Sequence, residues 1–418
     1  AQESGRCQKR EWWLGHMEQG KCLAISLISF LVVAPLLAFS VIHFWAPHVD
    51  KAKMLSAPER HRGLQLDEVR AHLQNHTIVH VGGLHRSGTT MLWEAMASHS
   101  QVSALKKQNF TDVRMSTKLK KTYNEGIFLQ DTYPKFGLDH DKFLLRKWIG
   151  QAAKKLPFVD ETAFSWVRLR EGVGRFATDP RNHLDESSPL VANATQHRLF
   201  NQWALFWDLD RPVLLEKSPS NIVISPFLHR LWGLGVPSSQ ARFVFVRRHP
   251  IAVAMATKKA GGPFVSDLDL ADLVENWVLA EERLALDLRQ YFELSLDAGS
   301  TAGSVYKILK FEDMVKQPRR TLEDLLSWLG LPHEGRPETF EKATQKDPNL
   351  KYFAKYCVSL MNSEKATDLL VKIVEKFDAR IRKIEPTYAP RDIPKLCKEG
   401  VFGRPPVQTE AEQTSQEL

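Results

Sequence analysis

Residues 77–100, TIVHVGGLHRSGTTMLWEAMASHS, change character twice. Residues 77–81 form a short apolar run rich in β-branched side chains, which predicts a buried strand. Residues 82–88 are a glycine-rich turn. From residue 89 to 98, Met91, Leu92, Ala95 and Met96 recur at helical spacing. A strand, a glycine-rich loop and a helix in that order aim backbone N–H groups and a helix N-terminus at an anion.

The loop nearly spells an ATP-binding loop. That motif reads G-x-x-x-x-G-K-S/T, and Gly83, Gly88 and Thr90 match its spacing. Thr89 stands where the motif has lysine, and the basic residue is Arg86, three places earlier. The motif's lysine reaches the β- and γ-phosphates and its hydroxyl residue holds Mg²⁺. Without the lysine, triphosphate chemistry is poorly supported, and a nucleotide or small-molecule kinase is the lesser reading. The loop is still suited to cradle one 5′-phosphate through the amides of Ser87, Gly88, Thr89 and Thr90. Arg86 would face whatever extends from that phosphate.

Further strands are predicted at 212–215, 243–246 and 306–310, and helices at 270–291 and 320–329. Residues 243–246 are uniformly apolar and bounded by charge, as a central parallel strand should be. Pro250 suits the first turn of the helix that follows. Strands alternating with helices predict an α/β fold, an open parallel sheet covered by helices on both faces. Ligands of such sheets lie beyond the carboxyl ends of the strands.

The chain has 418 residues, 43% hydrophobic and 25% charged, with net charge +8. That balance favours anionic partners, and without a basic tract nucleic acid is not expected. Residues 22–46 carry His43 as their one strongly polar side chain, which is long enough and apolar enough to span a bilayer. The expected layout is a cytoplasmic tail at 1–21, a transmembrane signal anchor at 22–46 and a stem at 47–75. A luminal domain at 76–399 and a disordered tail at 400–418 complete it. Asn75, Asn109 and Asn193 each open an N-glycosylation tripeptide, which acts only in a secretory lumen. Cys357 and Cys397 would both be luminal, and one disulfide between them is the simplest arithmetic. No metal-site spacing is present in the sequence. Trp148, Trp166, Trp203 and Trp207 could stack on sugars, but core burial is the ordinary role of such side chains.

With these residues in hand, HRSGTT after a buried strand resembles the 5′-phosphosulfate loop of the sulfotransferases. Three further segments resemble that family in its own order: LLEKSPSN at 214–221, VFVRRHPIAVAMATKK at 244–259 and KFEDMVKQPRRTLEDLLSWLGL at 310–331. The anchor and sequons resemble its membrane-bound Golgi branch. The resemblance implies the donor 3′-phosphoadenosine 5′-phosphosulfate, no metal, and a hydroxyl acceptor on a glycan, a protein or another secretory-pathway molecule. It implies that Arg86 and Lys217 offset charge in the transition state and that Arg248 binds the 3′-phosphate. The family has a serine eight residues after that arginine; here the position is Ala256, and Thr257 is the nearest hydroxyl. Arg247 would be a second cation or a structural pair. For the general base the tyrosylprotein branch uses a glutamate roughly twenty residues past its loop, where this chain is basic. Glu125 is the leading candidate, with Asp112 and His85 as alternatives. A non-catalytic anion- or glycan-binding module is the reading that the altered serine position favours.

Overall fold

The computed structural model describes residues 63–105, 125–134, 176–178, 180–236, 241–260, 268–293, 305–334 and 348–399. The expected tail, the anchor at 22–46, Asn109, Asp112, Trp148, Trp166 and the end at 400–418 lie outside them. Among the described residues no helix is long and apolar enough to cross a membrane.

Five parallel strands form one sheet in the order β2-β3-β1-β4-β5. They are β1 (Thr77–Gly82), β2 (Val102–Ala104), β3 (Val213–Lys217), β4 (Ala241–Arg247) and β5 (Tyr306–Lys310). The central strand β1 pairs Val81 with Lys217 on one side and Gly82 with Phe245 on the other. β2 is not expected from the sequence. It is three residues long and contains Ser103, so it carries no apolar run.

The helices in chain order are α1 (Leu66–Asn75), α2 (Thr89–Ala97), α3 (Asn193–Ala204), α4 (Ser225–Trp232), α5 (Pro250–Ala260) and α6 (Leu270–Asp287). Then come α7 (Phe311–Lys316), α8 (Pro318–Trp328), α9 (Pro348–Asn362), α10 (Glu364–Ile384) and α11 (Ile393–Lys398). α6 continues into a π turn, Leu288–Glu293. Side chains alternate across a strand, so each face of the sheet collects its own core. Val79, Val81, Leu215, Val244 and Val246 pack with Leu92 and Met96 of α2, Met314 of α7 and Leu325 of α8. Ile78, Leu214, Phe243 and Phe245 pack with α3, α4, α5 and α6 on the other face. Trp203, Trp232 and Trp277 are essentially fully buried there, each contributing on the order of 2–3 kcal/mol. Trp203 and Trp207 are therefore core residues, not exposed sugar platforms.

The stem boundary needs correction. At the start of α1 the Gln65 backbone N–H donates to Glu68 Oε2 at 2.6 Å, and Val69 and Leu73 are buried in the core. Those two side chains stand four apart, one helical turn, in an otherwise polar stretch. The compact unit therefore includes residues from Gly63 onward.

Candidate active site

β1 delivers the loop Gly82–Gly88 at the carboxyl end of the sheet. Gly83 has φ +134°, and a Cβ there would meet the Val246 carbonyl oxygen at 2.5 Å. Gly88 has φ +104°, and a Cβ there would meet the Phe311 ring at 2.6 Å. Neither position accepts another residue without rebuilding the turn. α2 starts at Thr89 with no side-chain cap, so its first amides have no acceptor within the helix. The expected four-amide cradle is smaller than the sequence suggests: Ser87 is buried and its N–H donates to Leu84 O at 3.1 Å. Gly88, Thr89 and Thr90 remain. Arg86 is exposed, and its φ of +72° is the one left-handed conformation of a non-glycine residue among the described residues. That conformation costs roughly 1–2 kcal/mol and must be held by its surroundings.

β3 ends in Glu216 and Lys217, which face opposite sides of the sheet. They do not pair with each other. The Lys217 side chain is 2% exposed, and its Nζ donates to Glu125 Oε1 at 2.7 Å. Two residues 92 apart in sequence thus meet, close enough to His85 and Arg86 to interact with them electrostatically. Burial pushes the Glu125 carboxyl above its ordinary value, against the pull of Lys217 and, more weakly, of Arg86. His85 sits beside them with its ring edge-on to Phe176. Burial, then Lys217 and Arg86, lower its pKa to about 3. Its Nδ1 is buried with no partner among the described residues. The imidazole is thus neutral at physiological pH, but a base that weak takes a hydroxyl proton poorly.

Glu216 anchors the segment that carries Glu125. Its carboxylate is fully buried and accepts four bonds: from His80 Nδ1 at 3.0 Å, Asn221 Nδ2 at 2.7 Å, Ser218 Oγ at 2.5 Å and the Gly126 amide at 3.0 Å. His80 Nε2 accepts the Trp232 indole N–H at 2.9 Å, which leaves Nδ1–H as the donor to Glu216. Trp203 Nε1 donates to Gly126 O at 3.0 Å, and Ile127 N donates to Ser218 Oγ at 3.0 Å. A buried carboxylate with every lone-pair direction served is a rigid fixture. It holds Gly126 so closely that a Cβ would lie 2.5 Å from Glu216.

The second strand–loop–helix, β4 to α5, departs from expectation. Arg248 is 5% exposed and its guanidinium lies 4.1 Å over the Phe311 ring. Its Nε donates to Asn349 Oδ1 and its Nη1 to the Arg86 carbonyl oxygen, each at 2.7 Å. Thr257 is buried, and its hydroxyl donates to Val253 O at 2.7 Å, one turn back in α5. The one hydroxyl hydrogen is thus committed within the helix and does not point at an anion. Arg247 is a structural pair, bonded to Glu281 through Nε at 2.9 Å. Arg248, expected to bind a 3′-phosphate, is buried, and Thr257, expected with a backbone group as the alternative to replace the family's serine, has its hydroxyl bonded within α5.

Glu312 was not singled out from sequence. It accepts the His249 amide at 3.2 Å, Asn349 Nδ2 at 2.7 Å and the Tyr388 hydroxyl. It lies in the quoted segment 310–331, but nothing local marks it as a hub. Cys357 and Cys397 form a disulfide between α9 and α11. Asn75 and Asn193 are exposed, at the end of α1 and the start of α3. Among the described residues no cluster of His, Cys, Asp or Glu is arranged to hold a metal.

Solved structures similar to the chain include three sulfotransferases. The sulfotransferase from Alicyclobacillus acidocaldarius is 13% identical, with 74% of this chain and 94% of that one covered and a TM-score of 0.35. A Mycobacterium avium sulfotransferase is 14% identical, with 73% of each chain covered and a TM-score of 0.34. The sulfotransferase domain from the curacin biosynthetic pathway is 16% identical, with 66% and 77% covered and a TM-score of 0.30. No curated protein matches the chain. The sulfotransferase family model matches residues 79–335, a span that contains the donor loop, Glu125, Lys217 and Arg248. With more than half its length matched, the chain belongs to the sulfotransferase family.

Proposed function

We propose that this sulfotransferase moves a sulfuryl group from 3′-phosphoadenosine 5′-phosphosulfate to a hydroxyl of a glycan or protein in the secretory pathway. The observation that carries the proposal is the Lys217–Glu125 pair, 2.7 Å apart, beside an exposed arginine on a glycine-shaped loop. The bond from the acceptor oxygen to sulfur forms as the bond from sulfur to the 5′-phosphate oxygen breaks. Arg86 and Lys217 face the charge that gathers on the departing oxygen. Glu125, with its raised pKa, takes the acceptor's proton. The Gly88–Thr90 amides and the α2 N-terminus hold the 5′-phosphate.

The residues fit one half of this donor better than the other. The 5′-phosphosulfate half matches the loop, where a Cβ at Gly83 or Gly88 would collide with its neighbours and where Arg86 is exposed. The 3′-phosphate half does not match Thr257, whose hydroxyl is bonded to Val253 O. Placement in the Golgi as a single-pass type II protein with a luminal catalytic part is supported by the apolar run at 22–46 and the three sequons. The net charge of +8 favours an acidic glycan or peptide as acceptor.

The test is transfer of radiolabelled sulfate to a panel of glycan, peptide and small hydroxyl acceptors, with a thermal shift run in parallel. Transfer, together with stabilisation by 3′-phosphoadenosine 5′-phosphate, is expected. Stabilisation by ATP and Mg²⁺ alone would overturn the reading in favour of a kinase.

A further inference from the structure

The family match ends at residue 335, yet the donor loop is braced from beyond it. Asn349, in the first turn of α9, is 5% exposed. Its Oδ1 accepts from Arg248 Nε and its Nδ2 donates to Glu312 Oε1, both at 2.7 Å. One amide thus joins a cation to an anion, presenting the correct end to each. Arg248 Nη1 donates onward to the Arg86 carbonyl oxygen at 2.7 Å. That carbonyl belongs to the residue with φ +72°, so the contact falls on the strained turn itself. Glu312 is fixed in turn by the Tyr388 hydroxyl. Asn349 and Tyr388 both belong to the segment 348–399, whose α9 and α11 are tied by the Cys357–Cys397 disulfide.

We infer that Asn349 is a positioning residue for the donor loop, which makes the segment beyond the family match a working part of the site. The inference rests on the reading that Arg86 meets the sulfuryl donor. The guanidinium is a rigid planar fork lying over Phe311, so fixing one of its nitrogens sets where the others point. An acceptor fixed at Nε aims Nη1 at Arg86 O. Without Asn349 Oδ1 the fork loses the acceptor that fixes its Nε. Arg86 O then loses its donor, the left-handed turn relaxes and the Arg86 side chain moves off the donor.

The experiment compares wild-type full chain with Asn349→Ala and Tyr388→Phe. It measures donor KM, acceptor KM and hydrogen exchange of the backbone amides of residues 84–90. Asn349→Ala should raise donor KM about tenfold, leave acceptor KM unchanged and speed exchange in the loop by a similar factor. Tyr388→Phe, two hydrogen bonds further along through Glu312, should move the same quantities about twofold to threefold, and it decides the matter if the alanine variant does not fold. Donor KM within twofold of wild type and unchanged loop exchange would overturn the inference. So would an equal rise of donor and acceptor KM, which marks a merely structural residue. Absence of donor binding and transfer in the wild type itself would overturn the underlying reading and this inference with it.

Discussion

The loop after β1 and the loop after β4 share an adjacent histidine and arginine. Each follows a buried strand and opens a helix, with His85-Arg86 in the first and Arg248-His249 in the second. Both histidines are buried enough that their pKa values fall to about 3. The arginines part company. Arg86 is exposed in a left-handed turn, whereas Arg248 is buried and spends its fork on Asn349 and on the carbonyl of Arg86 itself. One arginine is therefore left exposed, and the other is buried and holds the carbonyl of the first. What decides between them is not in either loop. It is Phe311, Asn349 and Tyr352, which arrive from elsewhere in the chain and close over Arg248.

The largest effect that would break this comparison is on rate. Arg86→Ala should lower kcat/KM by about 10²–10³, the ordinary cost of removing one preorganised charge from a developing anion. Because the side chain is exposed, thermal stability should stay within about 0.5 kcal/mol of wild type. Steady-state kinetics and a thermal melt on the same sample check both halves. A variant that melts early but keeps its rate would reverse the roles of the two arginines.

Arg248→Met should show the opposite balance. It leaves Asn349 Oδ1 and Arg86 O without their donor, so unfolding free energy should drop by about 2–4 kcal/mol in denaturant titration. Its rate should fall with rising donor KM, following the slackened Arg86 turn. A stability within 0.5 kcal/mol of wild type would show that the buried fork is not a brace.

A smaller effect is on pH. His85 and His249 have folded pKa values near 3, below their unfolded value, so the unfolded chain binds more protons between pH 6.5 and 3. The stability they contribute is therefore present above about pH 6.5 and is lost as pH falls through that window. His249→Gln should flatten this decline, measured as unfolding free energy at pH 7, 6 and 5. A wild type equally stable at all three would contradict the burial assigned to both rings.

Much of the sheet is legible in the sequence because its strands are continuous apolar runs. β5 occupies the residues expected, and β1, β3 and β4 differ from expectation only at their ends. β2 is hidden because three residues with a central serine give no pattern. The polar stretch before β1 reads as helix-prone but as stem; that its helix packs into the core is hidden because Val69 and Leu73 are its only buried apolar side chains. The donor loop is legible because glycine spacing and backbone geometry are local. The Lys217–Glu125 pair is legible only as two candidates, since their meeting depends on Glu216 tethering Gly126 across 90 residues of sequence. The β4 loop misleads for the same physical reason. Its local chemistry suits a phosphate, but Thr257 is drawn back onto its own helix and Arg248 is covered by later segments.

Donor recognition is proposed to lie with Arg86 and not with the buried hydroxyl of Thr257. Equilibrium binding of 3′-phosphoadenosine 5′-phosphate to wild type, Arg86→Ala and Thr257→Val tests this directly. The expected Kd is at least about tenfold weaker for Arg86→Ala and within twofold of wild type for Thr257→Val. A Kd unchanged at Arg86 and weakened at Thr257 would contradict it.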